Sequence, residues 1–219
     1  MDDAVSAVAA LEEPTRRRLY DYVVRQPDPV GRDEVAAATG LPRATVAFHL
    51  DKLVAEQLLD VGFERRTGRS GPGAGRPAKL YRRSGRQVTV SLPERRYELA
   101  GTLLAGALEE ADRTGGPPGP ILRRRARELG EQLGRTAVGV PVESIFEEYG
   151  FEPRTGPGGT VFANCPFHRL AQEHTELVCG MNLSFAEGLL AGLRCADLSA
   201  RLEPLPGACC VRLRPGVPS

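Results

Sequence analysis

Two short apolar runs separated by a glycine-proline turn constrain this chain more than any other stretch. Val35 to Ala38 is followed by Thr39, Gly40, Leu41 and Pro42, and then by Val46, Leu50 and Leu53 at spacings of four and three. Gly40 supplies the positive φ that ends one helix, and Pro42 is tolerated in the first turn of the next, so two short helices must meet at a steep angle. In the second helix the apolar stripe continues through Val54 and Leu58 and faces a core. Arg43, Ala44, Thr45, Ala47, Phe48 and Lys52 fall off that stripe. Short and donor-bearing side chains so placed are what a recognition helix offers to base edges and phosphates. His49 lies among them and is expected to pack or to touch the nucleic-acid backbone.

The stretch that follows is strongly basic. Val61 to Arg66 and Ala78 to Arg83 have a β-like pattern, and the segment joining them, Thr67 to Pro77, is too rich in glycine and proline for regular structure. From Phe63 to Arg86, eight basic residues, Arg65, Arg66, Arg69, Arg76, Lys79, Arg82, Arg83 and Arg86, stand against Glu64 alone. In isolation such a run is a solvated hairpin. Placed directly after a helix-turn-helix it reads as a wing, and double-stranded DNA is the partner that would neutralise it. Upstream, Ala4 to Leu11 and Pro14 to Arg25 read as helices, and Asp33 is a candidate cap for the first helix of the pair.

The succession from Thr15 to Arg83 resembles the ArsR-type winged-helix repressors, and Ala44 to Leu53 resembles their recognition helix. The resemblance implies a dimeric transcription factor on a two-fold operator.

With 219 residues the chain has room for a second domain, and its net charge of +1 conceals the basic wing. It opens Met1, Asp2, Asp3, without the basic start of an export signal, and no apolar run reaches the length of a membrane span, so a cytoplasmic location is expected. Pro93 to Arg113 reads as a helix with Leu99, Leu103 and Ala107 in line, either a core helix or a dimerisation helix. After the break at Gly115 to Pro120, Ile121 to Val138 carries the stripe Leu122, Ala126, Leu129, Leu133 and Ala137. Arg123, Arg124 and Arg125 at its start oppose the helix dipole and call for a partner, Glu109 or Glu110 on the preceding helix being preferred. Beyond Pro141 the pattern alternates between helices (Val142 to Tyr149, Phe167 to His174, Cys179 to Leu193) and hairpins (Phe151 to Asn164, Ala200 to Leu213). The expected fold is mainly α with an α+β second half: a winged helix-turn-helix at 1–90, a helical dimerisation linker at 91–140, and an α+β sensor domain at 141–219.

That last domain holds every cysteine: Cys165, Cys179, Cys195, Cys209 and Cys210. Single free cysteines usually pack as small apolar residues, but five within the final quarter, in a compartment where disulfides are rare, point to metal or redox chemistry. Thiolates from separate elements can hold Zn²⁺ or an iron-sulfur cluster, and the lack of a Cys-x-x-Cys pair argues against a zinc ribbon. Cys165 is expected at a helix N-terminus, where a thiolate is favoured. A zinc or thiol-oxidation switch and an apolar-effector pocket are the rival sensors. A thiol enzyme with Cys165 beside His168 or His174 lacks a general-base and oxyanion pattern, so no enzymatic activity is expected.

Val161 to Leu213 resembles the C-terminal part of the SufR-type regulators, through Asn164 to His168, His174 to Cys179 and the terminal Cys209 and Cys210. The resemblance implies a repressor that senses iron-sulfur, redox or iron status by holding a cluster, 4Fe–4S or 2Fe–2S. Its ligands would be Cys165, Cys179 and one of Cys209 and Cys210, with Cys195 or His168 completing the set. Only one of the vicinal pair is expected to reach the site, because neighbours in a strand point to opposite faces.

Overall fold

Glu13 opens the first well-capped helix: its carboxylate accepts from the backbone N–H groups of Thr15 at 3.0 Å and Arg16 at 2.6 Å, and Pro14 occupies the first helical position. The computed structural model describes residues 2–64 and 77–216, and the chain divides into two units, Met1–Val90 and Ser91–Ser219.

In the first unit the order is α1 (Asp2–Ala10), α2 (Pro14–Val24), β1 (Val30–Gly31), α3 (Arg32–Thr39), α4 (Arg43–Ala55), β2 (Leu59–Glu64) and β3 (Ala78–Arg83). The three strands form an antiparallel sheet in the order β1-β3-β2. Gly40 ends α3 at φ 69°, as the turn requires. Val46, Leu50 and Leu53 are fully buried against Leu19, Val23, Val35 and Tyr81, so the period of α4 translates directly into a core. At roughly 1.5–3 kcal/mol for each buried aliphatic side chain, this stripe outweighs any surface pairing on the same helix. Asp33 does not cap α3. The N-cap is Gly31, without a side-chain hydrogen bond, and Asp33 sits in the first turn, paired with Arg43.

The second unit contains α5 (Tyr97–Thr114), α6 (Pro118–Thr136), α7 (Val142–Glu148), β4 (Pro153–Gly156), β5 (Gly159–Phe162), α8 (His168–Glu173), α9 (Thr175–Leu193), β6 (Leu198–Leu202) and β7 (Val211–Pro215). Its sheet is antiparallel in the order β4-β5-β7-β6. Ala100, Leu103 and Ala107 of α5 and Leu122 and Ala126 of α6 share one core with Phe146, Phe162, Phe185 and Leu213. Residues 91–140 are therefore not a free-standing linker; their apolar faces complete the core of the second unit. The stretch from Arg86 to Leu92 forms no strand, and Val88 packs on the first unit's core. Of the two acidic partners expected for the arginine triplet, Glu110 is the one that pairs, with two of the three arginines. Its carboxylate meets Arg124 at 2.5 Å and Arg125 at 3.3 Å, while Arg124 also reaches Glu128 at 2.8 Å.

The main axis of this unit is the α6–α9 pair, and it rests on glycine. A Cβ placed on Gly130 or Gly134 of α6 would stand under 3.0 Å from the backbone of Phe185 or Leu189, and one on Gly188 or Gly192 of α9 would do the same to Arg127 or Glu131. The two helices thus touch backbone to backbone. The aliphatic stripe expected for α6 is displaced accordingly: Gly130 and Gly134 are buried, whereas Leu129 and Leu133 are only partly so.

Candidate functional site

On α4 the residues left off the core stripe are accessible. Arg43 and Ala44 are exposed, Thr45 is half-buried, and Phe48 is 67% exposed, unusually open for an aromatic side chain. Pro42 provides no side-chain cap, which leaves N–H groups of the first turn available to an anion. Lys52 is exposed and paired with Glu56 at 2.9 Å. Two residues expected on this face are engaged elsewhere. His49 turns inward, its ring Nδ1 3.5 Å from the capping carboxylate of Glu13. Lys79 is held by Asp51 and lies over the Tyr81 ring.

Asp51 is the organising group of this face, and nothing in its period marks it. It accepts from Arg32 at 2.6 Å, from the Tyr81 hydroxyl at 2.8 Å and from Lys79, and so joins α4 to β3 and to the start of α3. Burial alone would raise its pKa, but these donors hold the carboxyl below the usual aspartate range. The Tyr81 hydroxyl is pushed up to about 12 by burial and by Asp51. Arg65, Arg66, Arg69 and Arg76, expected at the wing tip, lie outside the described residues.

The second unit brings together four of the five cysteines. Cys165 lies in the loop before α8, Cys179 on α9, and Cys209 and Cys210 in the turn that leads into β7. Their thiols lie near enough to act on one another's ionisation in series: Cys165 with Cys209, Cys209 with Cys210, and Cys210 with Cys179. Both members of the vicinal pair take part. They precede the strand instead of lying in it, so strand alternation does not apply to them.

The protonation pattern also departs from expectation. Cys165 stands ahead of a helix of only six residues, and its thiol pKa is raised by the hydrogen bond with Cys209 and by burial. The Phe167 N–H and the charge of Arg95 act in the other direction and are outweighed. For Cys209 the bond with Cys165 favours the thiolate, yet Cys210 and burial prevail and push it up to about 12. Cys210 reaches about 12 through its bond with Cys179. Cys179, which receives that bond, is lowered and is the thiol most ready to ionise.

Asn182, one turn after Cys179 on α9, is 1% exposed, and its amide Nδ2 donates to the Cys209 sulfur at 3.3 Å. Its Oδ1 is buried without a hydrogen-bond partner among the described residues. A buried amide left half-satisfied is costly unless a further group completes the site. Among the described residues, no three His, Cys, Asp or Glu side chains already close around one point as a metal cage. The donor set nevertheless suits a thiophilic metal: four adjacent sulfurs, largely buried, with an amide N–H directed at one of them.

The remaining candidates stand apart. Burial, with the charges of Asp197 and Glu143, raises the Cys195 thiol pKa. His168 and His174 are exposed.

Residues 11–62 match a family described as a helix-turn-helix domain. That span covers α2, α3 and α4, and it makes the first unit a helix-turn-helix module of a DNA-binding transcriptional regulator. No curated protein and no solved structure matches the chain. Among the described residues no helix is long and apolar enough to cross a membrane.

Proposed function

We propose that this DNA-binding regulator is a homodimeric winged-helix repressor that senses iron-sulfur or redox status through Cys165, Cys179, Cys209 and Cys210. The observation that carries the proposal is the meeting of these four thiols from three separate segments of the second unit. Bound there, an iron-sulfur cluster would supply a redox- and oxygen-sensitive centre held by thiolates. The four cysteines would hold it, Asn182 would donate to the Cys209 sulfur, and the apolar walls around Phe167 and Met181 would limit water. An all-sulfur donor set equally suits zinc, which is the second reading; the SufR-like character of residues 161–213 favours the cluster.

At the other end of the chain, Arg43, Ala44, Thr45, Phe48 and Lys52 would meet the major groove, with Arg65, Arg66, Arg69 and Arg76 on the flanking backbone or minor groove. Phe48 is suited to a thymine methyl. His49 and Lys79 would position the helix from behind. The outer face of α5, where Tyr97 and Leu108 are exposed beside Leu104, is the surface proposed for the second copy that a two-fold operator requires.

Anaerobic isolation with an absorption spectrum and iron, sulfide and zinc analysis tests the sensor. A brown protein that bleaches in air is expected. Stoichiometric zinc without iron would select the second reading, and a colourless, metal-free protein under all loading conditions would overturn both.

A further inference from the structure

The chain that leaves the first unit at Val90 is bound, within a few residues, to the loop that carries Cys165. Arg95 donates through Nη1 to the Asn164 side-chain oxygen and to the Cys165 carbonyl at 3.0 Å. Asn164, 5% exposed, donates its amide to the Glu94 carbonyl at 3.0 Å and to the Gly150 carbonyl at 2.6 Å. The backbone N–H of Arg96 donates to the Pro166 carbonyl at 3.0 Å. Arg96 is also the N-cap residue of α5, and its guanidinium reaches the Glu148 carbonyl at the end of α7.

Both polar ends of the Asn164 side chain are therefore satisfied, at a site nearly closed to water. Net contributions of roughly 0.5–1.5 kcal/mol per hydrogen bond, and more where a guanidinium donates, make this junction stiffer than a solvated connection of the same length. Leaving Asn164 unpaired in this place would carry its full desolvation cost, so the residue holds the two segments together or destabilises both.

We infer that Arg95 and Asn164 are positioning residues that make the Cys165 loop and the chain entering α5 one mechanical piece. A change at the Cys165 sulfur that moves residues 164–166 must then move residues 94–96, the first segment of the second unit after the DNA-binding unit ends. This inference rests on the reading of the four thiols as a metal site. It adds where a signal leaves that site: along the backbone at Arg95 and Arg96.

Hydrogen exchange of the full chain, with and without one equivalent of Zn²⁺ as the probe, tests it without any knowledge of the operator. Native mass spectrometry first establishes whether zinc is bound. In the wild type, zinc is expected to slow exchange about tenfold both in peptides spanning 164–168 and in peptides spanning 94–100. In Asn164→Ala the first effect persists and the second is lost. Arg95→Ala, at the half-buried side of the junction, is the companion variant should Asn164→Ala fail to fold, and is expected to reduce the second effect at least threefold. Wild-type protection confined to 164–168, or protection of 94–100 unchanged in both variants, would overturn the inference and leave the metal reading intact. Bound zinc with no change in either segment of the wild type would overturn the inference, and a wild type that takes up neither zinc here nor a cluster on anaerobic isolation would overturn both.

Discussion

Replacing Gly188 with alanine is expected to lower the stability of the second unit by about 3 kcal/mol, near the upper end of what overpacking usually costs. The added methyl would meet the Arg127 carbonyl, a backbone atom of the facing helix that cannot rotate away as a side-chain tip can. The four glycines interlock α6 and α9 along several turns, so relieving one clash spoils the neighbouring contacts. Gly101 on α5 gives the opposite sign. Nothing lies within 4 Å of a Cβ placed there, so Gly101→Ala should gain about 0.5–1 kcal/mol from helix propensity. Thermal unfolding followed by circular dichroism separates the two: a fall of roughly 10 °C for the first variant and a small rise for the second. Equal melting temperatures for Gly188→Ala and the wild type would mean that the two helices do not meet through their backbones.

The second large effect is expected at Cys209. It is 1% exposed, it neighbours both Cys165 and Cys210, and its sulfur accepts from Asn182. Cys209→Ala should reduce bound metal, measured per protomer by elemental analysis after desalting, to less than a tenth of the wild-type content. Cys195→Ala should leave it unchanged, because the charges that act on Cys195 are the carboxylates of Asp197 and Glu143. The DNA-binding unit, with its own core from Leu19 to Tyr81, should keep its fold in both variants. Retention of full metal content by Cys209→Ala, or its loss in Cys195→Ala, would redraw the site.

The helix-turn-helix is readable in the sequence because its energetics are local and periodic. Val46, Leu50 and Leu53 repeat at the helix period, Gly40 and Pro42 mark the turn, and burial follows the stripe. The gathering of the thiols is suggested by their crowding into the last quarter of the chain. Their order is not, because it depends on β7 pairing with β5 and bringing residues 209–210 beside Cys165. Glycine explains the misplaced stripe on α6. A hydrophobic pattern scores Gly130 and Gly134 as neutral, whereas a close helix crossing makes them buried positions. Asn182 offers one faint signal, a lone amide in an apolar stretch of helix three residues after Cys179. Asp51 and Asn164 offer none, since their partners lie 19–30 and 14–70 residues away in sequence.

The proposed link between thiol site and DNA reader would be a coupling free energy, and it can be measured directly. A duplex selected from a random pool by the full-length protein serves as the target, titrated at fixed salt with the site loaded and then emptied by a chelator under anaerobic conditions. At least a tenfold difference in Kd is expected between the two states, equivalent to about 1.4 kcal/mol of coupling, and it should vanish in Cys209→Ala. The same Kd in both states, with loading verified by elemental analysis, would show that the four cysteines do not govern DNA binding.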